Sequence, residues 1–416
     1  MKFIGIDFGT SNSLAAHVQN DKIEFVRFPD NNISNPTIIY FPEKSKKVEI
    51  GIAAVEKYLT DLEENEEFGR LMLSIKTLLP DEKFDHTVVI GHGKQTAAGL
   101  AAKFIKALKD LAEEQFGYQF EGVVMGRPVD FSPLAISRLE EAARLAGFKE
   151  VVFWLEPVAA AMDYERGSER DELLCVVDIG GGTSDICIIE TSPKRVNEPN
   201  RIQDIKAITG INLAGDAFSS EIMKHRLAER FGDGSTFTSL GETLPFPIHI
   251  IKTLNKWHRI HQLNSSNTLP DLLSILVSSD RPDDVDRLIK LIRNNYGYEL
   301  FRAIDQAKKD LTLNNRTRIR FRPLELNEEI EVREFESLIK PVIDKIENSI
   351  IQCLNLAEVK PSEINRVLLT GGSSQVPLID RTISEMFGEG KIRRPDFFSS
   401  IATGLGYVAQ RLNSGF

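Results

Sequence analysis

The sequence predicts an α/β protein of two similar lobes with a cleft between them. Two observations point there. Short apolar strands alternate with amphipathic helices along most of the chain, the pattern of layered α/β architecture. In addition, a unit near the start (strand, acid, small-residue turn, strand) recurs far downstream. Its first copy is Phe3-Ile4-Gly5-Ile6-Asp7-Phe8-Gly9-Thr10-Ser11-Asn12-Ser13, running on into Leu14-Ala15-Ala16. The second is Leu174-Cys175-Val176-Val177-Asp178-Ile179-Gly180-Gly181-Gly182-Thr183-Ser184-Asp185, leaving through Ile186-Cys187-Ile188-Ile189. Each copy reads as a hairpin that opens a lobe.

The elements follow in order. Leu100, Phe104, Leu108 and Leu111 predict a helix from Thr96 to Phe116, leading into the strand Gly122–Gly126. A helix from about Pro133 to Ala146 precedes the strand Val151–Leu155. In the second half, Phe335, Leu338, Ile339, Val342, Ile346 and Ile350 predict a helix from Val332 to Leu356, which Pro341 should bend or loosen. The strand Arg366–Leu369 follows, then helices from about Val376 to Phe387 and Phe398 to Leu412. Between them, about Leu213 to Pro323 fits neither copy and reads as an inserted subdomain. It holds Gly232-Asp233-Gly234, a polar stretch Asn264–Thr268 and an acidic turn Asp280–Asp286. The acidic run Asp61–Glu67 reads as a solvated helix face or loop. Arg316, Arg318, Arg320 and Arg322 alternate with Thr317, Ile319 and Phe321, so four cations are expected on one solvated strand face.

Composition bounds the function. The chain has 416 residues, 42% hydrophobic and 27% charged, which suits a globular protein of two to three domains and excludes a disordered or fibrous one. With 51 Lys+Arg against 61 Asp+Glu, the net charge of −10 argues against broad nucleic-acid binding, which needs a surplus of cations. No apolar run approaches the ~18 residues that span a bilayer, and the start reads as a strand rather than a secretory leader. Cys175, Cys187 and Cys353 are too few and too scattered for a disulfide frame or zinc site, and are expected to be reduced, buried thiols of a cytoplasmic protein.

The two turns carry the chemistry. A nucleoside triphosphate needs backbone N–H groups converging on its phosphates, and a glycine turn lets the backbone approach because no Cβ intervenes. Thr and Ser hydroxyls add donors. Mg²⁺ keeps most of its waters, so Asp7 and Asp178, one per hairpin, can hold it through that shell. One glycine turn is weak evidence; two, each with an acid before and a threonine after, are strong. Gly371-Gly372-Ser373, between a strand and a helix, suits a base or ribose lying against bare backbone. Gly210-Ile211-Asn212-Leu213-Ala214-Gly215-Asp216 sets N–H groups and an acid before a helix expected from Ala217 to Phe231. Trp257-His258 and His261 offer one usable metal spacing without a further acid and read as packing and solvated side chains.

These residues resemble a known family. Gly5-Ile6-Asp7-Phe8-Gly9-Thr10-Ser11, Glu156-Pro157-Val158-Ala159-Ala160-Ala161 and Asp178–Asp185 are similar to motifs of the actin-like ATPase superfamily. More narrowly, they resemble the nucleotide-binding domain of DnaK-type heat-shock chaperones. Leu368-Leu369-Thr370-Gly371-Gly372-Ser373-Ser374-Gln375-Val376-Pro377 resembles that family's second adenosine motif, and Pro395-Asp396 to Gly404 its closing helix. Arg127-Pro128-Val129 resembles the stand-alone, YegD-type members. The resemblance covers essentially the whole chain, weakly in the middle.

The resemblance implies two ribonuclease-H-like (actin-like) lobes around a nucleotide cleft, with an inserted α+β subdomain in the second. The first lobe would take residues 1–168 plus 395–416 and the second 169–394, with the insertion at about 213–323. It also implies roles. Gly9, Thr10, Ser11 and Asn12 would hold phosphates from one lobe, Asn12 replacing the usual aromatic residue, and Gly180, Gly181, Gly182 and Thr183 from the other. Asp7, Glu156 and Asp178 would surround hydrated Mg²⁺, with Asp185 nearby at a K⁺ position. Lys76 would reach the γ-phosphate and, with Asp178, orient the attacking water. Asp305, Lys308, Lys309 and Thr312, with Gly215, Asp216, Gly371, Gly372 and Ser373, would bind adenosine; Lys309 cannot stack on the base as a guanidinium does. Thr183 would lie close enough to accept phosphate.

The function expected is slow, Mg²⁺-dependent ATP hydrolysis by a cytoplasmic protein with nucleotide and a protein partner or co-chaperone as ligands. No membrane or nucleic-acid contact is expected, and the chain would lack a peptide-binding domain. Two rivals stand beside this reading: a sugar-type small-molecule kinase on the same scaffold, and a non-catalytic nucleotide-dependent scaffold.

Overall fold

The computed structural model describes residues 1–20, 22–64, 69–196, 198, 201–256, 260, 263, 267–395 and 399–414. Trp257, His258 and His261 lie outside the described residues, as do residues 65–67 of the acidic run, 264–266 of the polar stretch, and 396–398.

The chain folds as two compact units. The first comprises Met1–Ala214, Ile346–Gln375 and Ile379–Phe416; the second comprises Gly215–Lys345 with Val376–Leu378. The first unit contains both hairpins, each extended by the same rule. In one sheet the strands run in the order Glu150–Leu155, Gly122–Arg127, Phe3–Phe8, Asn12–Gln19, Lys22–Phe25. In the other the order is Ile205–Ile211, Ser184–Thr191, Glu172–Ile179, Arg366–Thr370, Ile392–Arg393. The first strand of each hairpin pairs antiparallel with the second and parallel with a strand from far along the chain, Gly122–Arg127 in one case and Arg366–Thr370 in the other. The repeat seen in sequence is therefore also a repeat of topology.

Packing explains why the hairpin strands are apolar throughout. Ile4, Ile6 and Phe8 are buried with Phe104, Ile105 and Leu108 of the helix Ala97–Phe116. Leu174, Val176, Cys187 and Ile189 share a second core with Val158–Met162, Leu405 and Val408. Phe3 and Val124 join that second core, so the helix Glu156–Glu165 packs against strands of both sheets, while Ser400–Asn413 packs on Glu156–Glu165 and on strands of the first sheet. Strands covered on both faces lose alternation and become continuously hydrophobic.

Helix ends follow local chemistry. Thr96 caps Ala97–Phe116, its Oγ1 accepting from the Gly99 N–H at 3.0 Å, and Gly117 ends it in a left-handed conformation (φ 75°). Ser132 caps Pro133–Leu145 by accepting from Ala135 N–H at 3.2 Å. The helix Val332–Leu356 continues through Pro341.

The sequence reading needs correction in several places. The helix expected from Ala217 begins earlier and changes its hydrogen bonding: Gly215–Ile222 is α, Met223–Leu227 is π and Ala228–Phe231 is 3₁₀. Arg322 leaves the arginine strand, which ends at Phe321, and opens the 3₁₀ turn Arg322–Leu324 that Pro323 favours. Arg316 and Arg318 on that strand stand opposite Glu331 and Glu329, the latter 2.8 Å from Arg318, so the face is charge-matched. Asp61 is buried rather than solvated, accepting from Tyr40 Oη at 2.7 Å and pairing with Lys57 at 2.7 Å. The acidic stretch after Asp280 opens a helix, Pro282–Arg293, where Asp283 and Asp284 favour the positive end of the dipole. Cys175, Cys187 and Cys353 are free and buried as expected. Among the described residues no helix is long and apolar enough to cross a membrane.

Candidate functional site

The site lies in the first unit, at the ends of the central strands. Asp7 sits near the end of Phe3–Phe8, after which Gly9 turns the chain. A Cβ on Gly9 would stand 2.1 Å from the Asn12 carbonyl oxygen, so only glycine makes that turn. In the other hairpin Asp178 stands opposite Asp185, and the Gly180 N–H donates to the Thr183 carbonyl at 3.0 Å. The two turns meet: a Cβ on Gly182 would lie 3.1 Å from Thr10 Oγ1. Gly371, at φ 78°, packs so close that a Cβ would be 2.3 Å from the Ile179 carbonyl oxygen. Ser373 donates to the Gly180 carbonyl at 2.6 Å, so the Gly371–Ser373 segment buttresses the second turn.

Four acids and one lysine crowd beneath the turns. Lys76, in a short 3₁₀ turn entered through a left-handed Ser74 (φ 48°), donates to Glu156 Oε1 at 2.7 Å. Glu156 is the first residue of its helix, held by the strand Glu150–Leu155 before it. The carboxylate oxygens of Glu156, Asp178 and Asp185 lie within 4.8 Å of one another. Asp178 Oδ1 accepts from Thr370 Oγ1 at 2.8 Å and Asp185 Oδ1 accepts from the Val129 N–H at 2.7 Å. Asp185 Oδ2 is buried with no partner.

The electrostatics record this crowding. Burial, then repulsion from Glu156, pushes the Asp178 carboxyl up to about 7 against the opposing Thr370 bond and Lys76 charge. Asp185 is raised well above the usual carboxylate range by the same two causes, with Asp178 adding to them. Asp7 keeps some surface open to solvent, yet loss of hydration raises it, and Glu156 and Asp178 add to the rise while Lys76 opposes it. Burial works against the Lys76 charge, but Glu156, Asp7 and Asp185 outweigh it and hold the ammonium above its ordinary value. Clustered, dehydrated carboxylates with an orphaned oxygen suit a hydrated divalent cation. Two abutting glycine turns suit phosphate oxygens.

The remaining sequence-predicted residues belong to the second unit. Asp305, on the helix Gly297–Asp310, bridges Lys308 and Lys309 at 2.8 Å each. Lys308 also donates to the Gly215 carbonyl at 3.2 Å and to Ser219 Oγ at 3.3 Å. Burial pushes the neighbouring Asp216 up to about 7, opposed by Lys308 and assisted by Asp305. Thr312 donates to the Lys309 carbonyl at 2.7 Å just past the helix end. Sequence reasoning gave no role to Thr370 or Val129, although each falls inside a quoted motif, Leu368–Pro377 and Arg127–Val129.

Two mixed sheets, each opening with an acid-bearing hairpin and meeting turn to turn, define an α/β protein of the actin-like class. A family model described as Hsp70 protein matches residues 3–236 and 292–410. The chain belongs to the Hsp70 family. It is 26% identical over 404 residues to the Chaperone protein DnaK of Thermosipho africanus, covering 96% of this chain and 57% of that protein. The Chaperone protein DnaK of Thermosipho melanesiensis is likewise 26% identical over 404 residues, at 96% and 58% coverage. The chain thus spans a little over half the length of these curated relatives.

Proposed function

We propose that this chain binds ATP and ADP with Mg²⁺ and hydrolyses ATP slowly, as a chaperone-type nucleotide switch in the cytoplasm. The observation that carries the reading is the meeting of two glycine turns over Lys76, Glu156, Asp178 and Asp185. In this reading the backbone of Gly9–Asn12 and Gly180–Thr183, with the Thr10, Ser11 and Thr183 hydroxyls, binds the phosphates. Asp7, Glu156 and Asp178 hold the water shell of Mg²⁺, which when bound offsets negative charge on the phosphate oxygens. Asp185 stands beside them, next to a K⁺ position. Lys76, oriented by Glu156, donates toward the γ-phosphate, and with Asp178 it fixes the attacking water in line, so catalysis is positioning rather than covalent chemistry. Gly371, Gly372, Ser373, Gly215, Asp216, Asp305, Lys308, Lys309 and Thr312 supply the adenosine contacts. The lobes divide at residues 1–168 with 395–416 and 169–394, the insertion running from about 213 to 323. Nucleotide-dependent exchange of a protein partner or co-chaperone completes the proposal.

The test is Mg²⁺-dependent ATP turnover by the wild type, Lys76→Ala and Asp178→Asn. Both variants should lose about 100-fold or more while keeping the wild-type circular dichroism. Equal turnover in all three removes the mechanism. Turnover that appears only when a sugar is added supports a kinase instead, and ATP binding without turnover supports a scaffold.

A further inference from the structure

Arg127 is the last residue of the strand Gly122–Arg127, which runs parallel to both Phe3–Phe8 and Glu150–Leu155. It pairs with Leu155, immediately before Glu156. Continuing the Ile6–Met125 register by two residues sets it level with Phe8, one position before the Gly9 turn. It therefore stands at the carboxyl ends of parallel strands, where α/β sheets bind ligands.

Its surroundings are acidic, yet it joins none of the acids. The guanidinium is partly buried and its charge faces Glu156 and Asp185. The chain on either side of it touches the same groups. A Cβ on Gly126 would lie 3.1 Å from Glu156 Cγ, and Val129 bonds Asp185. Even so, among the described residues Arg127 makes no ion pair. Its hydrogen bond is a long one, 3.3 Å from Nη1 to the Pro128 carbonyl, and most of its five donors are unspent. Arg201, a fully buried arginine of the same unit, is the contrast: it is enclosed by Glu165 and Asp204, with bonds to both. Lys76, which faces the same two acids, is already engaged by Glu156. A partly buried guanidinium fork with free donors matches an incoming phosphate, which it can bind bidentately.

The geometry points to Arg127 as a specificity-determining contact to the terminal phosphate of the bound triphosphate, supplied from within the chain. This rests on the nucleotide reading above, in which Lys76 and Glu156 mark the γ-phosphate end. Arg127 stands on that side, so a diphosphate would leave its donors unfilled. Its role is to favour ATP over ADP and to offset charge on the transferring group.

Affinities of the full chain for ADP and for a non-hydrolysable ATP analogue, with Mg²⁺, provide the test for wild type, Arg127→Gln and Arg127→Lys. Arg127→Gln should weaken the triphosphate by about 10- to 100-fold and leave ADP within about twofold. Arg127→Lys keeps the charge and loses the fork, so it should fall between. Equal loss for both nucleotides, or no loss, overturns the assignment and leaves the nucleotide site standing. Should Arg127→Gln fail to fold, Arg127→Lys decides alone: a triphosphate preference equal to wild type overturns it. A wild-type chain that binds neither nucleotide removes the parent reading and this one with it.

Discussion

Lys76 and Glu156 are withdrawn from water almost completely, their side chains 5% and 6% exposed, and Asp178 and Asp185 are buried beside them. Burying charge costs free energy that one ion pair seldom recovers, so a ligand-free fold gains nothing from collecting three acids here. Asp178 shows the sign of that cost. Its carboxyl rises from the ordinary 3.8 to about 7, so the folded state holds a proton that the unfolded chain gives up. Stability is therefore lost as pH climbs from about 4 through 7 and stays lost above. Asp178→Asn keeps an acceptor for Thr370 and removes the charge. Without metal or nucleotide it should melt about 3–6 °C above wild type at pH 8, with the difference shrinking toward zero at pH 5. Scanning calorimetry at the two pH values checks this, and a shift independent of pH contradicts it. A residue that destabilises the empty fold is kept for what it binds.

Elements in this chain were legible to the extent that their signals are local. Thr96 announces its helix because the cap needs only the side chain and an N–H three residues on. Thr96→Ala should lower stability by about 1 kcal/mol in urea unfolding and leave ATP turnover at the wild-type level. An unchanged urea midpoint would count against the capping bond. The hairpins read equally well, since apolar runs broken by an acid and glycines have few other solutions. Reading failed at three places. Asp61 looked solvated, but Tyr40 and Lys57 draw it inside. Arg322 continued the arginine alternation, and only the 3₁₀ turn at Pro323 removes it from the strand. The stretch after Gly215 has helical spacing throughout; its π turn at Met223–Leu227 leaves no periodic trace.

At the scale of the molecule, the phosphate-side residues fall in one compact unit that brings together segments from near residue 7 to beyond residue 370. Anything that binds this assembled state and not the unfolded chain stabilises it by mass action. Mg-ATP at about 100 times its dissociation constant should add about 2.7 kcal/mol, raising the unfolding temperature by about 3–5 °C. Mg²⁺ alone should do much less. A thermal-shift series that shows no nucleotide effect would sink the proposed function. The family match skips residues 237–291, all in the second unit, so that unit is where this chain departs from the Hsp70 pattern.

The sequence by itself determined the α/β class, the paired hairpins with Asp7 and Asp178, and the glycine turns. Each follows from backbone geometry acting over a few neighbouring residues. The tertiary structure alone decided that Lys76 would meet Glu156 across 80 positions, that Thr370 would anchor Asp178, and that Arg127 would stand among acids without joining them. Those juxtapositions depend on which strands lie side by side and how the helices between them pack. No local periodicity encodes either.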